Sequence, residues 1–218
     1  MKNKNILILG ASGGVGKWAL KLARERAYNI TVVVRSAQSI QHTDDIRVIV
    51  GSVLDKEVLE KAIQGQDMVL SCLGIKRKNQ KNPWSPLVSP ENFMENVINN
   101  TIELMQRYQV NRLVTISAAG VGDSWQSVSS FMKFMIKSSN VKYAYNDFNK
   151  MENIMRSSDI DSLSIRPVGL KDGPPESKAK IVNRFDMSTY ITKSDVAGYM
   201  LDALERPEQY GKPEEMIG

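Results

Sequence analysis

A glycine-rich turn stands near the start of the chain, between an apolar run and an amphipathic segment. The run Asn5-Ile-Leu-Ile-Leu9 is followed by Gly10-Ala-Ser-Gly13-Gly14-Val-Gly16 and then by a helical pattern over residues 17–23. This order suits pyrophosphate binding, because glycines allow a tight turn, a close approach of the backbone to the phosphates, and close packing of the helix on the sheet. The spacing Gly-x-x-Gly-x-x-Gly therefore predicts dinucleotide binding, with a glycine turn that binds nothing as the alternative.

Beyond this turn, short β-branched runs alternate with helical patterns, which indicates repeated βαβ units and a parallel sheet. The predicted strands cover residues 5–9, 30–34, 46–50, 68–72, 112–117 and 162–166, with short ones near 181–185 and 216. The predicted helices cover residues 15–27, 57–63, 90–108, 131–136, 144–156 and 193–204, the third capped by Ser89. We predict an α/β Rossmann fold, a doubly wound parallel sheet in three α/β/α layers, forming a single domain over residues 1–218.

The composition, 42% hydrophobic and 24% charged, is typical of a globular domain. No apolar run approaches the roughly 18 residues that span a bilayer. No secretory signal precedes the first strand, so we expect a cytoplasmic protein with no membrane partner. A single Cys72 and a single His42 exclude an internal disulfide and metal sites built from several cysteines or paired histidines.

The net charge of +5 is spread along the chain, and no pattern of a nucleic-acid-binding module accompanies it. A basic surface also attracts ligands that carry phosphates. We therefore expect a small-molecule ligand and no nucleic acid.

The end of the second predicted strand indicates which dinucleotide is bound. Proteins that bind NAD place an acidic residue about 20 residues after the glycines, whereas this chain has Val34-Arg35-Ser36 there. An arginine pairs with the 2′-phosphate of NADP, and Ser36 can donate to the same oxygens. The sequence thus favours NADP(H) over NAD(H), with a solvated charge as the alternative for Arg35.

Two further loops follow strands that border the expected crevice. Ser52 and Val53 come after the third strand, and Cys72, Leu73 and Gly74 come after the fourth. Because ligands of open α/β sheets bind outside the carboxyl ends of the strands, we expect the first pair near the adenine and the second loop near the inner ribose. Cys72 is interpreted as a small buried side chain and not as a nucleophile, since no histidine base accompanies it in sequence.

Taken together, several short motifs resemble those of the atypical short-chain dehydrogenases. They are the glycine loop, Arg35, Gly51-Ser-Val-Leu54, Gly65-Gln-Asp67, Leu73-Gly74, Thr115-Ile-Ser117 and Ile165-Arg-Pro167. The chain is most similar to the NmrA-like group that includes biliverdin reductase B, also called flavin reductase. The resemblance implies a Rossmann fold that uses NADPH, as a monomer or a homodimer.

The resemblance also implies roles for individual residues. Gly10, Ser12, Gly13, Gly14, Val15 and Gly16 would hold the pyrophosphate, Arg35 the 2′-phosphate, and Ser52 with Val53 the adenine. Ser117 matches the serine beside the nicotinamide, and Pro167 with Val168 matches the segment along the nicotinamide ring. Where that group has a histidine on the helix before the sixth strand, this chain has Glu152.

The catalytic pair of typical short-chain dehydrogenases, a tyrosine with a lysine four residues later, is missing. Tyr143 is followed by Asp147 and Tyr145 by Asn149, with Lys150 one position too far. In the flavin reductase branch hydride passes directly to the acceptor and the proton can come from solvent. We therefore predict an NADPH-dependent oxidoreductase with a planar acceptor, a flavin, a quinone or a similar ring system, and take Ser117 and Tyr145 as catalytic candidates.

A non-catalytic NADP(H)-binding redox sensor is the alternative, because it needs no Tyr-Lys pair. An epimerase or dehydratase is a weaker third, since those relatives usually keep the pair.

Three segments are expected to form the substrate loops, residues 75–90, 120–145 and 167–190. The basic run Lys76-Arg77-Lys78, with Lys81 and Trp84, suggests anionic groups, and the aromatic and Met-rich segment 125–135 suggests a flat apolar ring. The alternatives are a solvated loop for the first and a core stripe for the second.

Overall fold

In a computed structural model, the structure describes residues 4–40, 45–176, 179–186, 188–207, 209–210 and 213–218, so His42 lies outside the described residues. The strands are β1 Asn5–Leu9, β2 Asn29–Val34, β3 Ile46–Val50, β4 Met68–Ser71, β5 Arg112–Ile116, β6 Asp161–Pro167, β7 Gly169–Lys171, β8 Tyr190–Thr192 and β9 Glu214–Ile217. The α-helices are α1 Gly14–Glu25, α2 Lys56–Ile63, α3 Phe93–Arg107, α4 Ser130–Ser138, α5 Val141–Arg156 and α6 Lys193–Leu204.

The main sheet has seven parallel strands in the order β3-β2-β1-β4-β5-β6-β9. Its central strands are apolar on both faces, as expected for a parallel sheet covered by helices on both sides. Ile6 and Ile8 of β1 pack with α1 and α6, while Leu7 and Leu9 pack with α2, α3 and α5. The prediction of a single-domain, three-layer Rossmann fold is therefore confirmed.

The strand order reverses between β1 and β4, because the chain first builds outward through β2 and β3 and then returns to the other side of β1. In such sheets the loops at the carboxyl ends of the two central strands separate and leave a crevice. The glycine turn after β1 and the loop after β4 border this crevice.

The start of α3 differs from the prediction. The helix begins at Phe93, and the hydroxyl of Ser89 accepts a hydrogen bond from the backbone N–H of Lys76 (3.0 Å). The cap comes from another helix: the buried carboxylate of Asp147, on α5, accepts from the backbone N–H groups of Met94 (2.7 Å) and Glu95 (3.0 Å). Because Asp147 is distant in sequence from the helix that it caps, the local sequence pattern wrongly indicated Ser89 as the cap.

The segment after β6 is also more ordered than predicted. Gly169–Lys171 pairs with Tyr190–Thr192 in a small parallel sheet, where only the substrate loop 167–190 was expected. The strand predicted near residues 181–185 is reduced to one antiparallel bridge, between Ile181 and Ile217. In the described parts of the chain, no helix is long and apolar enough to cross a membrane.

Candidate dinucleotide and substrate site

The glycine loop is packed too tightly for side chains at its key positions. Gly10 has φ +80°, and a Cβ on it would lie 2.9 Å from the carbonyl oxygen of Cys72. A Cβ on Gly16 would lie 2.0 Å from the carbonyl oxygen of Gly10, so only glycine lets α1 approach the turn this closely. The backbone N–H of Gly13 donates to the carbonyl of Gly10 (2.9 Å) and closes the turn.

The amino-terminal end of α1 opens into the crevice. Its N-cap residue Gly13 makes no side-chain capping bond, and the first turn has no acidic residue. The side chain of Val15 is buried in the core, so its contribution to a ligand is its backbone N–H. Uncapped N–H groups at the positive end of a helix dipole are suited to a pyrophosphate, and the residues present therefore fit a dinucleotide.

A first cleft, of about 210 Å³, runs from the glycine loop across the ends of β2 and β3. It brings together Gly10, Ser12, Gly13, Val34, Arg35, Gly51, Ser52, Val53, Leu54, Cys72, Leu73 and Gly74. Arg35 makes no ion pair with any described residue. Ser36 does not line this cleft. Its hydroxyl donates to the side-chain oxygen of Gln38.

A second cleft, of about 790 Å³, continues from the first on the β6 side of the crevice. The two share Gly13, Cys72, Leu73, Gly74 and Lys76. The second cleft is also lined by Gly14, Val15, Ser117, Met132, Tyr145, Phe148, Pro167, Val168, Leu170, Phe185, Tyr190 and Lys193. One crevice therefore passes from Arg35 to Val168 across the end of β4.

Ser117 has the most unusual environment of the predicted site residues. It is 5% exposed, and its hydroxyl oxygen has no hydrogen-bond partner among the described residues. Its backbone N–H donates to Ile165 (2.7 Å), which fixes the residue at the end of β5. A buried hydroxyl without a partner is costly unless a ligand or water satisfies it.

Cys72, by contrast, has the environment of an unreactive thiol. Burial raises the pKa of its thiol to about 12, so the thiolate form is scarce at neutral pH. This supports the interpretation that Cys72 is not a nucleophile. Its side chain is half-buried and lines both clefts, however, so it is not the fully buried side chain that was expected.

Tyr145 lines the second cleft without a lysine partner. Its hydroxyl donates to the carbonyl of Ala119 (3.0 Å), and burial raises its pKa to about 12. Lys150 lies on the surface, where its ammonium pairs with Glu95 (2.8 Å). Asp147 is committed to capping α3. No described lysine is thus placed to lower the pKa of Tyr145, as the spacing predicted.

Glu152 is buried in the core, where its carboxylate forms an ion pair. It is 1% exposed and pairs with Arg166, itself 3% exposed, through bonds of 2.7 and 3.0 Å. Arg166 also bonds to Asp123, and a Cβ on Gly122 would lie 2.8 Å from its Nη2 atom. This pair fixes the loop after β5, which places Trp125 edge-on against Tyr145 with ring centroids 6.2 Å apart. Glu152 therefore shapes the site from outside it.

The predicted substrate segments contribute only in part. Lys76 and Arg77 line the second cleft, whereas Lys78 and Lys81 are exposed outside it. The indole of Trp84 donates to the carbonyl of Ser138 (3.1 Å). From the aromatic and Met-rich segment only Met132 reaches the cleft, and Phe131 and Phe134 are 58% and 66% exposed. The core-stripe alternative is therefore wrong for these two phenylalanines.

Lys193 is a cation at the glycine loop that sequence reasoning missed. A Cβ on Gly14 would lie 2.8 Å from its side chain, and its ammonium pairs with Asp172 (2.6 Å). Lys193 opens α6, far from the glycine motif in sequence, so no spacing rule connects the two. Phe148 was missed for the same reason, whereas Leu170, Phe185 and Tyr190 lie in the predicted substrate loop 167–190 but were not named individually.

The chain is similar to several known proteins. Residues 10–207 match the model of the NAD(P)H-binding family. The chain is 25% identical over 215 residues to the uncharacterized protein YwnB of Bacillus subtilis (strain 168), covering 92% of each. A match 29% identical over 97 residues, or 38% of this chain, covers only 23% of the chloroplastic divinyl chlorophyllide a 8-vinyl-reductase of Arabidopsis thaliana.

Solved structures share the fold over nearly the whole chain. ChuY, an anaerobillin reductase from Escherichia coli O157:H7, superposes with a TM-score of 0.79 at 20% identity, covering 98% of this chain and 96% of that one. A short-chain dehydrogenase/reductase from Veillonella parvula in complex with NADP has a TM-score of 0.76 at 16% identity, covering 100% and 95%. Since the family model spans both halves of the crevice, the chain belongs to the NAD(P)H-binding family of Rossmann-fold proteins, and its cofactor is a nicotinamide dinucleotide.

Proposed function

We propose that this protein is an NADPH-dependent oxidoreductase that passes hydride to a planar acceptor such as a flavin or a quinone. The observation that carries the proposal is the buried, unpartnered hydroxyl of Ser117 in the wall of the second cleft. NADPH, when bound, supplies two electrons and a proton as hydride. The chain supplies binding, orientation and exclusion of water.

The residues that we assign to the cofactor follow the crevice from β3 to β6. They are Gly10, Ser12, Gly13, Gly14, Val15, Gly16, Arg35, Ser36, Ser52, Val53, Cys72, Leu73, Gly74, Ser117, Pro167 and Val168. Arg35 selects NADPH over NADH, because a guanidinium at the end of β2 that has no ion-pair partner among the described residues suits a phosphate and not a ribose hydroxyl. Ser36 can join it by exchanging its bond to Gln38 for the phosphate.

Lys193 belongs to the same assignment. Its side chain lies against Gly14 at the amino-terminal end of α1, where the pyrophosphate is expected. The exposed carboxylate of Asp172 holds the ammonium there until an anion replaces it. Such an exposed ion pair is weak, so the exchange costs little.

The second cleft suits an acceptor that does not need a protein acid. Apolar and aromatic side chains form much of its wall. Of the two assigned catalytic residues, Tyr145 is the candidate acid, but burial raises its pKa and no described lysine lies beside it to lower that pKa. We therefore assign Ser117 and Tyr145 to orienting the ligands by hydrogen bonds, while the proton comes from solvent. All three predicted substrate loops reach this cleft, through Arg77, Met132 and Phe185.

The known relatives favour a large conjugated acceptor. ChuY, with the same fold, is an anaerobillin reductase, which supports a tetrapyrrole-like molecule as a third acceptor class beside flavins and quinones. We further propose a cytoplasmic protein that acts as a monomer or a homodimer.

The test is the oxidation of NADPH by the purified protein against a panel of flavins, quinones, bilins and aldehydes, followed by nicotinamide absorbance. We expect turnover with at least one planar acceptor and none with simple aldehydes. Turnover restricted to aldehydes would contradict the proposal, since their reduction needs a tyrosine activated by a lysine, and the described residues of this site place no lysine beside Tyr145.

The alternative is an NADP(H)-binding sensor that regulates a partner protein. It is favoured by the missing Tyr-Lys pair and by the exposed Phe131 and Phe134 on α4, beside the second cleft. Tight NADPH binding without turnover of any acceptor would establish this alternative over the enzyme.

A further inference from the structure

The second cleft contains a guanidinium that has no counter-ion among the residues the structure describes. Arg77 lines the cleft and is half-buried. Its Nη2 atom donates to the carbonyl of Gln80 (2.9 Å), but its Nε atom is buried and has no hydrogen-bond partner among the described residues. No ion pair joins Arg77 to a carboxylate in the described part of the chain. Burial lowers the pKa of Arg77, with no acidic neighbour to oppose it.

The loop that carries Arg77 is anchored, so the side chain is not a freely moving surface group. Arg77 itself forms a backbone bridge with Leu87. On either side, the N–H of Lys78 donates to Pro86 (2.9 Å) and the N–H of Val88 donates to Lys76 (2.7 Å). The desolvation of this guanidinium is therefore built into the fold of the loop.

The other charges of the cleft do not neutralise Arg77. Its cations are Lys76 and Lys193, and the latter is paired with Asp172. Among the described residues the cleft has one lining carboxylate, that of Asp186, which accepts from the N–H of Ser188 (2.8 Å) and from the hydroxyls of Ser188 (2.6 Å) and Thr189 (3.0 Å). The cleft thus presents an excess of positive charge beside apolar walls.

We propose that Arg77 binds an anionic substituent of the acceptor, and that the acceptor is a planar molecule carrying a carboxylate, phosphate or sulfonate group. A guanidinium donates two parallel hydrogen bonds to such groups, which fixes the orientation of the ring as well as its position. The proposal rests on the proposed function, in that the cleft takes a planar acceptor, but it does not require turnover. The cofactor's own phosphates have separate partners in the glycine loop and Arg35.

Binding to the NADP⁺-loaded protein tests this without any reaction. Two probe pairs are titrated, anthraquinone carboxylate against the corresponding carboxamide, and FMN against riboflavin, following fluorescence quenching. Wild-type protein is expected to prefer the charged member of at least one pair by about tenfold or more, as charge-assisted hydrogen bonds give. Arg77→Gln is expected to remove that preference while leaving the affinity for the uncharged member within about twofold.

Two matched variants separate the subsite from simple charge and from misfolding. Lys78→Gln removes the same charge from the same loop, outside the cleft, and is expected to keep most of the preference. Arg77→Lys keeps the positive charge but cannot donate two parallel hydrogen bonds, and it is expected to retain part of the preference for the charged probe. Thermal melting and the affinity for NADPH are measured for each variant, and both are expected to stay close to wild type.

Several outcomes would overturn the inference. They are equal affinities within both pairs for wild type, binding of none of the four probes, preference that survives Arg77→Gln, or an equal loss in Lys78→Gln. Failure of NADPH oxidation with every acceptor would instead count against the proposed function. The conclusion about Arg77 from probe binding would not change, because that measurement needs no turnover.

Discussion

The first cleft is built mostly from turns directly after strands, whereas the second is built from α5 and three long loops. Gly10, Arg35, Ser52 and Leu73 of the first cleft each follow a strand by at most two residues. Arg77, Phe148 and Phe185 of the second come from segments far apart in the chain. The first cleft therefore depends on backbone geometry, and the second on which side chains the loops carry.

This difference predicts different responses to substitution. Changes in the first cleft should affect any dinucleotide that needs the altered backbone or charge. Changes in the second cleft should leave the dinucleotide bound and alter what happens beside it. The variants below test this division, beginning with the largest expected effect.

Gly16→Ala should nearly abolish cofactor binding. The added Cβ would lie 2.0 Å from the carbonyl oxygen of Gly10, so the turn or α1 must move. We expect the affinity for NADPH to fall by more than about 100-fold. Overpacking of about 1–3 kcal/mol should also lower the Tm by about 3–10 °C. Calorimetric titration and thermal melting measure the two effects.

Gly198→Ala is the matched control on the helix that packs against α1. Its added Cβ would be 3.9 Å from Leu22, an ordinary contact. Replacing a helical glycine by alanine where space exists should stabilise the protein by about 0.5–1 kcal/mol and leave NADPH affinity unchanged. If both variants bound NADPH as wild type does, the glycine loop would not be the pyrophosphate site.

The fold and the first cleft could be predicted because their signals are local. Apolar runs such as Ile6-Leu-Ile-Leu9 indicate strands buried on both faces, and a glycine turn directly after one of them has a fixed place in the sheet. The carboxyl ends of neighbouring parallel strands lie at one edge of the sheet. The sequence therefore predicts that Arg35 and Ser52 line the same cleft, even though the loop conformations are unknown.

The second cleft could be predicted only in part. Ser117 and Tyr145 were expected at the site and line this cleft, but its other signals are distant in sequence. The cap of α3 comes from Asp147 on α5, so the start of the helix was placed at Ser89. The ion pair of Glu152 with Arg166 orders the loop after β5. Nothing in the sequence indicates that these two residues pair with each other. The basic run was a correct signal for the cleft, but only packing distinguishes Arg77 from Lys78.

Arg35→Ala should change the choice between dinucleotides. The lost charge-assisted bonds to the 2′-phosphate are each worth about 1.5–3 kcal/mol, so we expect NADPH affinity to fall about 10- to 100-fold and NADH affinity to stay nearly constant. Lys193→Ala is the comparison, because a pyrophosphate contact should weaken both dinucleotides alike. Equal losses for NADPH and NADH in Arg35→Ala would remove Arg35 from the 2′-phosphate site.

Ser117→Ala should slow hydride transfer about tenfold while leaving NADPH affinity nearly intact, because it removes one orienting hydrogen bond. It should not destabilise the free protein, since the hydroxyl has no hydrogen-bond partner among the described residues. Ser71→Ala is the control: its hydroxyl, on the adjacent β4 and outside both clefts, is likewise buried with no hydrogen-bond partner in the described part of the chain. Single-turnover rates that fall equally in both variants would exclude a specific role for Ser117.

Tyr145→Phe should have the smallest effect, because the hydroxyl orients ligands and transfers no proton. With a pKa of about 12, the phenol stays protonated through the neutral range. We expect the rate to fall at most severalfold, as one neutral hydrogen bond gives, and its pH profile between about pH 6 and 9 to keep its shape.

Stability at high pH provides a separate test of the same environment. A tyrosine in the unfolded chain has a pKa near 10, so the unfolded state loses its proton first as the pH rises. Deprotonation of Tyr145 in the unfolded state therefore lowers the free energy of unfolding as the pH rises from about 10 to about 12. Over that range the wild type should lose more stability than Tyr145→Phe does. A rate profile that shifts in Tyr145→Phe, with no such difference in alkaline stability, would mean that Tyr145 titrates near neutral pH. The second cleft would then contain the acid that its described side chains lack.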